Sequence, residues 1–163
     1  IEEMLGLERG SAANHASERK TGSRLLVFVS FSMPDASLRA LGEAAHAAGA
    51  SILFQGFSES SIPVMGANVR RVFGEEMEIG FGIDPTAFSR FDVMAVPTVV
   101  ALKEPLQTCR TRHCKEDVTP DHDRIVGNAT LSYMLEAIAA EGEHGVDAAL
   151  VALAALDAAE VVE

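Results

Sequence analysis

The most reactive side chains are two cysteines, Cys109 and Cys114, with four residues between them in the stretch CRTRHC. A hairpin or tight loop bridges such a pair when the Cα atoms come within ~7 Å. Closing so short a ring contributes roughly 2 kcal/mol through the entropy of the unfolded chain. The spacing therefore suggests a structural loop disulfide, of the kind an oxidising compartment permits. Two alternatives stay open. A redox-active pair lacks the Cys-x-x-Cys spacing and has no helix start after Cys109, although Arg110, Arg112 and Lys115 would favour a thiolate. A tetrahedral metal site would draw on Cys109, His113, Cys114 and His122, which are the right ligand types. Against it, His113 and Cys114 are adjacent and no paired Cys-x-x-Cys knuckle is present. His46, among alanines, and His15 and His144, in polar stretches, offer no further ligand set.

Ser32-Met33-Pro34-Asp35 is the second group with chemical potential. A nucleophilic Ser32 needs a positioned base, and no Gly-x-Ser-x-Gly elbow surrounds it. The spacing instead predicts a helix start, with Ser32 as N-cap, Asp35 as its reciprocal partner and Pro34 in the first turn.

The elements that would hold these groups follow from hydrophobic periodicity. LLVFVSF at 25–31 has the length and apolar density of a strand buried on both faces. Leu38, Leu41, Ala45 and Ala48 recur at helical spacing up to Gly49, and SILFQGF at 51–57 predicts the next strand, completing a βαβ unit. A second helix is expected over 62–73, with Pro63 at its start and Gly74 at its end. Met77, Ile79, Phe81 and Ile83 alternate with polar or glycine residues, the pattern of a half-exposed edge strand over 77–83. A short helix at 85–91 places Phe88 and Phe91 together. Val96-Pro97 leads into the strand TVVAL at 98–102, an elaborated polar hairpin at 103–121 and a returning strand at 123–126. Thr130 caps a helix bearing Leu131, Met134, Leu135 and Ile138. Residues 146–163 form an alanine-rich helix with Leu150, Leu153 and Leu156 three apart, too apolar to stand alone.

With 163 residues and 48% hydrophobic content, the chain suits one domain with terminal extensions. The expected division is a leader or linker at 1–24, a domain at 25–142 and an accessory helix at 143–163. Its 24 acidic against 13 basic residues give a net charge of −11, which argues against nucleic acid and anionic bilayers as partners. No apolar run approaches the ~20 residues of a membrane span. The opening residues lack the regions of a secretory signal, so a processed or trimmed chain is expected. Nothing calls for a cofactor.

The order of elements, with Val-Pro-Thr before the fourth strand, resembles the thioredoxin fold. Within it, VFVSFSMP at 27–34 followed by Ser37-Leu38, Ile83-Asp84-Pro85 with Phe88 and Phe91, Val96-Pro97-Thr98, and Gly127-Asn128 with Leu131, Tyr133 and Leu135 resemble the F-type TrbC family of conjugative pilin-assembly proteins. That resemblance covers about residues 25–141. It implies an α/β three-layer sandwich with a central mixed sheet and a cis bond at Val96-Pro97. It also implies that Ser32 and Asp35 stand where a thioredoxin has its two cysteines, so thiol exchange at that corner is excluded. The implied function is non-enzymatic: periplasmic assembly of the conjugative pilus and type IV secretion channel, with a TraW-type assembly protein as partner. The alternative is a thiol–disulfide oxidoreductase acting through Cys109 and Cys114. Candidate partner surfaces are the corner formed by Ser32, Met33, Pro34, Asp35, Val96 and Pro97, the edge through Met77, Ile79 and Phe81, and the helix face through Leu150, Leu153 and Leu156.

Overall fold

A computed structural model describes residues 23–75 and 79–161. The chain forms β1 (Leu25–Val29), α1 (Asp35–Ala47), β2 (Ser51–Phe54), α2 (Ile62–Phe73), β3 (Phe81–Ile83), α3 (Pro85–Arg90), β4 (Thr98–Leu102), β5 (His122–Val126), α4 (Leu131–Glu141) and α5 (Val146–Val161). One sheet of five strands runs β3-β2-β1-β4-β5, with β1, β2 and β3 parallel and β4 antiparallel to both β1 and β5. Every residue of β1 and β4 is buried, as the uninterrupted apolar runs require.

The mixed sheet separates two cores of unequal depth. One face carries α1, α2, α4 and α5, whose Leu38, Phe73, Leu135 and Ala149 pack over Val27, Ile52 and Val99. The steps β1-α1-β2 and β2-α2-β3 travel the same way across the sheet, so crossovers of one hand leave both helices on one face. The opposite face is thinner: Phe88 and Phe91, with Leu106, cover Leu26, Phe28 and Leu53. The Phe28 and Phe88 rings meet edge to face at 4.9 Å, a favoured aromatic geometry. The helix expected over 85–91 ends at Arg90, and Phe88 on it and Phe91 just past it together close the second core.

Helix boundaries follow local chemistry. Ser61 accepts from Val64 N–H at the start of α2, Asp84 from Ala87 N–H at α3, and Thr130 from Tyr133 N–H at α4. Gly49, at φ 73°, ends α1 in a Schellman turn, with Gly49 N–H bonding His46 C=O and Ala50 N–H bonding Ala45 C=O.

The start of α1 differs from expectation. Pro34, not Ser32, is the N-cap, and no side chain caps this end. Residue 34 is extended (φ −56°, ψ 136°), and a proline disfavours helical geometry at the residue before it, Met33, so the helix begins at Asp35 and Ser32 lies two residues before the cap. Asp35 becomes the first helical residue, and its carboxylate pairs with Arg71 of α2 at 3.1 Å. Met33 and Leu38 instead occupy the two positions of a hydrophobic staple, and both are buried in the larger core.

Both parallel strands stop short of their apolar runs. β1 ends at Val29 and β2 at Phe54, leaving Phe31 and Phe57 beyond the sheet. Of the strand expected over 77–83, Phe81–Ile83 forms β3 and Ile79 and Gly80 lie outside it; among the described residues β3 pairs with Ile52–Phe54 of β2. Ile79 packs against the larger core, so it is not part of an exposed edge. Met77 lies outside the described residues, as does the expected leader up to residue 22.

Residues 146–161 pack back on the sheet. α5 lies against α4 and also touches α1, β1 and β4. Its buried face is Ala148, Ala149, Ala152 and Leu156, while Leu150 is 53% exposed. Three-residue steps rotate backwards by about 60° each, so Leu150 and Leu156 stand about 120° apart. Leu150, Leu153 and Leu156 therefore form no single stripe. Gly145 begins this helix against β4: a Cβ there would fall on the Cβ and carbonyl of Ala101. Asp123 of β5 accepts hydrogen bonds from the backbone N–H groups of Glu143, His144 and Gly145, the last at 2.6 Å. A strand carboxylate thus fixes the turn between α4 and α5.

Candidate functional site

A cleft of about 570 Å³ opens at the carboxyl ends of β1 and β2. That is where the strand order reverses, since the chain moves from β1 outward through β2 and β3 and then returns to β4 on β1's other side.

The cleft is built from the residues by which both apolar runs overshoot their strands. Ser30, Phe31 and Ser32 form one part, Gln55, Gly56 and Phe57 another, and the loop of Val93, Met94, Ala95 and Val96 closes the side. Phe31 stacks on Phe54 at 4.7 Å with their planes 18° apart, and Phe54 meets Phe81 edge to face. Met94 is 87% exposed and Phe57 47% exposed, so large apolar side chains stand open to solvent beside the cleft. The Val96-Pro97 bond is cis, as the resemblance implied. Thr98, buried, donates its hydroxyl to Ala95 C=O at 2.6 Å and so ties down the loop before Pro97. Thr98, the residue after the proline in the Val96-Pro97-Thr98 motif, is the sequence signal for that tie.

The six corner residues divide. Ser32 and Val96 line the cleft together. Met33 and Pro97 are buried, whereas Pro34 and Asp35 are exposed. Asp35 is also held outward by the ion pair to Arg71. The Ser32 hydroxyl donates to Ser30 Oγ at 3.0 Å, one serine to another. None of the lining residues is Asp, Glu, Lys, Arg or His. Nucleophilic catalysis needs a base within hydrogen-bond reach of the hydroxyl, and this lining offers none. The cleft can bind; its own residues do not move protons at neutral pH.

The cysteines lie elsewhere. Cys109 and Cys114 form a disulfide with Cα atoms 4.9 Å apart. Joined sulfurs are not thiolate ligands, which removes two of the four donors from the zinc alternative. Among the described residues, no group of three or more His, Cys, Asp or Glu is placed to hold a metal ion. Among them too, no helix is long and apolar enough to cross a membrane.

Comparison with known proteins adds a family. A family model described as "Type-F conjugative transfer system pilin assembly protein" matches residues 27–138. The chain is also similar to the Escherichia coli protein named "Periplasmic protein TrbC", at 29% identity over 138 residues. That match takes in 84% of this chain and 57% of the relative, so the chain spans little more than half of the relative's length. No solved structure matches the chain. The matched segment contains the cleft, the cis bond and the disulfide loop, and it stops before α5.

Proposed function

On the premise that the chain belongs to the type-F conjugative transfer system pilin assembly family, we propose that it acts in the periplasm as a non-enzymatic assembly factor. It works by protein binding, and the cleft at the ends of β1 and β2 is its principal contact surface. The observation that carries this reading is the lining: open aromatic and methionine side chains, neutral hydroxyls and amides, and no titratable group in a chain of net charge −11. Apolar walls with a few neutral hydrogen-bonding groups suit an uncharged polypeptide segment, with Met94 able to adapt its shape to it.

The fold reading attached to this proposal is thioredoxin-like. Its support is the β2-β1-β4-β5 order with β4 antiparallel, the cis proline and the position of Ser32 in the turn between β1 and α1. In that frame the place of two catalytic thiols is taken by Ser32 and Asp35, and the surface that a thioredoxin uses for chemistry is kept for contact alone. A periplasmic location follows the relative's printed name, and a disulfide is at home there. The partner proposed is a TraW-type assembly protein of the same transfer system.

Complementation of a donor cell lacking this gene provides the test. Phe57→Glu/Met94→Glu introduces two charges at exposed positions and leaves the core untouched. We expect pilus formation and transfer to fall at least about tenfold, the loss produced by roughly 1.4 kcal/mol of binding energy, with unchanged protein level. Full transfer by this variant would count against the cleft. In an insulin-reduction assay, turnover that depends on Cys109 would instead support the oxidoreductase reading.

A further inference from the structure

Among the described residues, the disulfide loop is the most concentrated run of positive charge. Arg110, Arg112 and Lys115 fall within six residues, with His113 between them, and all four are exposed. Among the described residues, ion pairs join Arg24 to Asp147, Arg39 to Glu43 and Arg71 to Asp35, and none engages these three cations.

Several devices hold the loop in shape. Cys114 is buried and Cys109 exposed, so the disulfide fastens an outward turn to an inward anchor. Asp117 accepts from the backbone N–H groups of Arg110 and Thr111, both at 2.8 Å, and from the Thr111 hydroxyl. The Asp117 carboxylate is thereby spent on the loop itself, and the Thr111 hydroxyl together with these backbone donors keeps its pKa below the ordinary carboxylate value. The Thr111 hydroxyl oxygen in turn accepts from Glu116 N–H at 3.0 Å. The turn rests on α3, where Arg90 donates to Gln107 C=O and Thr119 donates to Arg90 C=O.

We propose that this closed loop is a preformed docking element for an acidic segment of another protein, separate from the cleft. A loop already ordered loses little conformational entropy on binding, so three rim cations suffice for a usable contact. At 0.1 M salt the Debye length is about 10 Å, so an acidic segment at the loop responds to these cations while the remaining negative surface is largely screened. A long polyanion or an anionic bilayer reaches beyond that distance and meets the rest of a −11 chain, which is why a short protein segment is favoured.

Titration of the full chain with a fluorescein-labelled peptide of alternating Glu and Gly, followed by anisotropy, tests the proposal. Binding is expected for the wild type and absent for the matching Gln-Gly peptide. Arg110→Glu/Arg112→Glu/Lys115→Glu should weaken it roughly tenfold or more, with an unchanged melting temperature. Cys109→Ser/Cys114→Ser should weaken it severalfold by loosening the same cations. Equal affinity of the wild type and the charge-reversed variant overturns the proposal. So does tighter binding to single-stranded DNA or phosphatidylglycerol vesicles than to the peptide. The cleft variant Phe57→Glu/Met94→Glu should bind this peptide as the wild type does, which keeps failure here distinct from failure of the cleft reading.

Discussion

Truncation after Glu141 is expected to leave a chain that does not fold stably. α5 buries Ala148, Ala149, Ala152 and Leu156 against the larger core, and its loss would uncover apolar surface of α4 around Leu135 and Ile138 as well. At ~25 cal/mol per Å² of apolar surface, three methyl groups, a leucine and the faces they cover amount to about 5 kcal/mol or more. That rivals the whole stability of an ordinary domain. The check is circular dichroism and thermal melting of the truncated chain beside the full one. A cooperative transition within a few degrees of the full chain would show that α5 is an appendage.

Asp123 carries the second large effect. Its carboxylate is the common acceptor for the N–H groups of Glu143, His144 and Gly145, so Asp123→Ala should destabilise the fold by about 2 kcal/mol, the range for hydrogen bonds to a charged group. Burial alone would raise the pKa of this carboxyl, but the three backbone donors, helped by His144, hold it below its ordinary value of 3.8. The native state therefore binds fewer protons than the unfolded one in this range. The contribution of Asp123 is complete above the unfolded value and disappears as pH falls through the lowered native value. Melting curves of the wild type and Asp123→Asn should converge on acidification below about pH 4. Asp117, whose pKa is lowered too, is common to both chains and cancels in the comparison. A gap that stays constant with pH would contradict this account.

Periodicity and turn chemistry made most of the fold legible. Ile62–Phe73, Thr98–Leu102 and the helix capped by Thr130 stand where the residues placed them, because caps, breakers and apolar spacing all agree there. Misreadings arose where one signal was used for two purposes. Phe31 and Phe57 extend apolar runs that look like strand, yet they serve the cleft, and alternation alone does not show where a sheet partner ends. At Ser32-Met33-Pro34-Asp35 the capping pattern was present, but Pro34 disfavours helix at Met33, and the helix starts at Asp35, past Ser32. For α5, leucines drew notice that belonged to alanines: a helix pressed closely on its neighbours buries its small residues and leaves Leu150 outside. The role of Asp123 depends on a contact across twenty or more residues, which no local pattern announces.

The cleft as a contact surface is most directly tested by placing a photo-crosslinking amino acid at position 94 or, separately, at position 150, in donor cells that carry the whole transfer region. Position 94 should form a crosslink to one other protein of the transfer system, identified by mass, and that crosslink should vanish with Phe57→Glu. Position 150, on the outer face of α5, should form none. Crosslinks from position 150 with silence at position 94, in cells that still transfer DNA, would contradict the account.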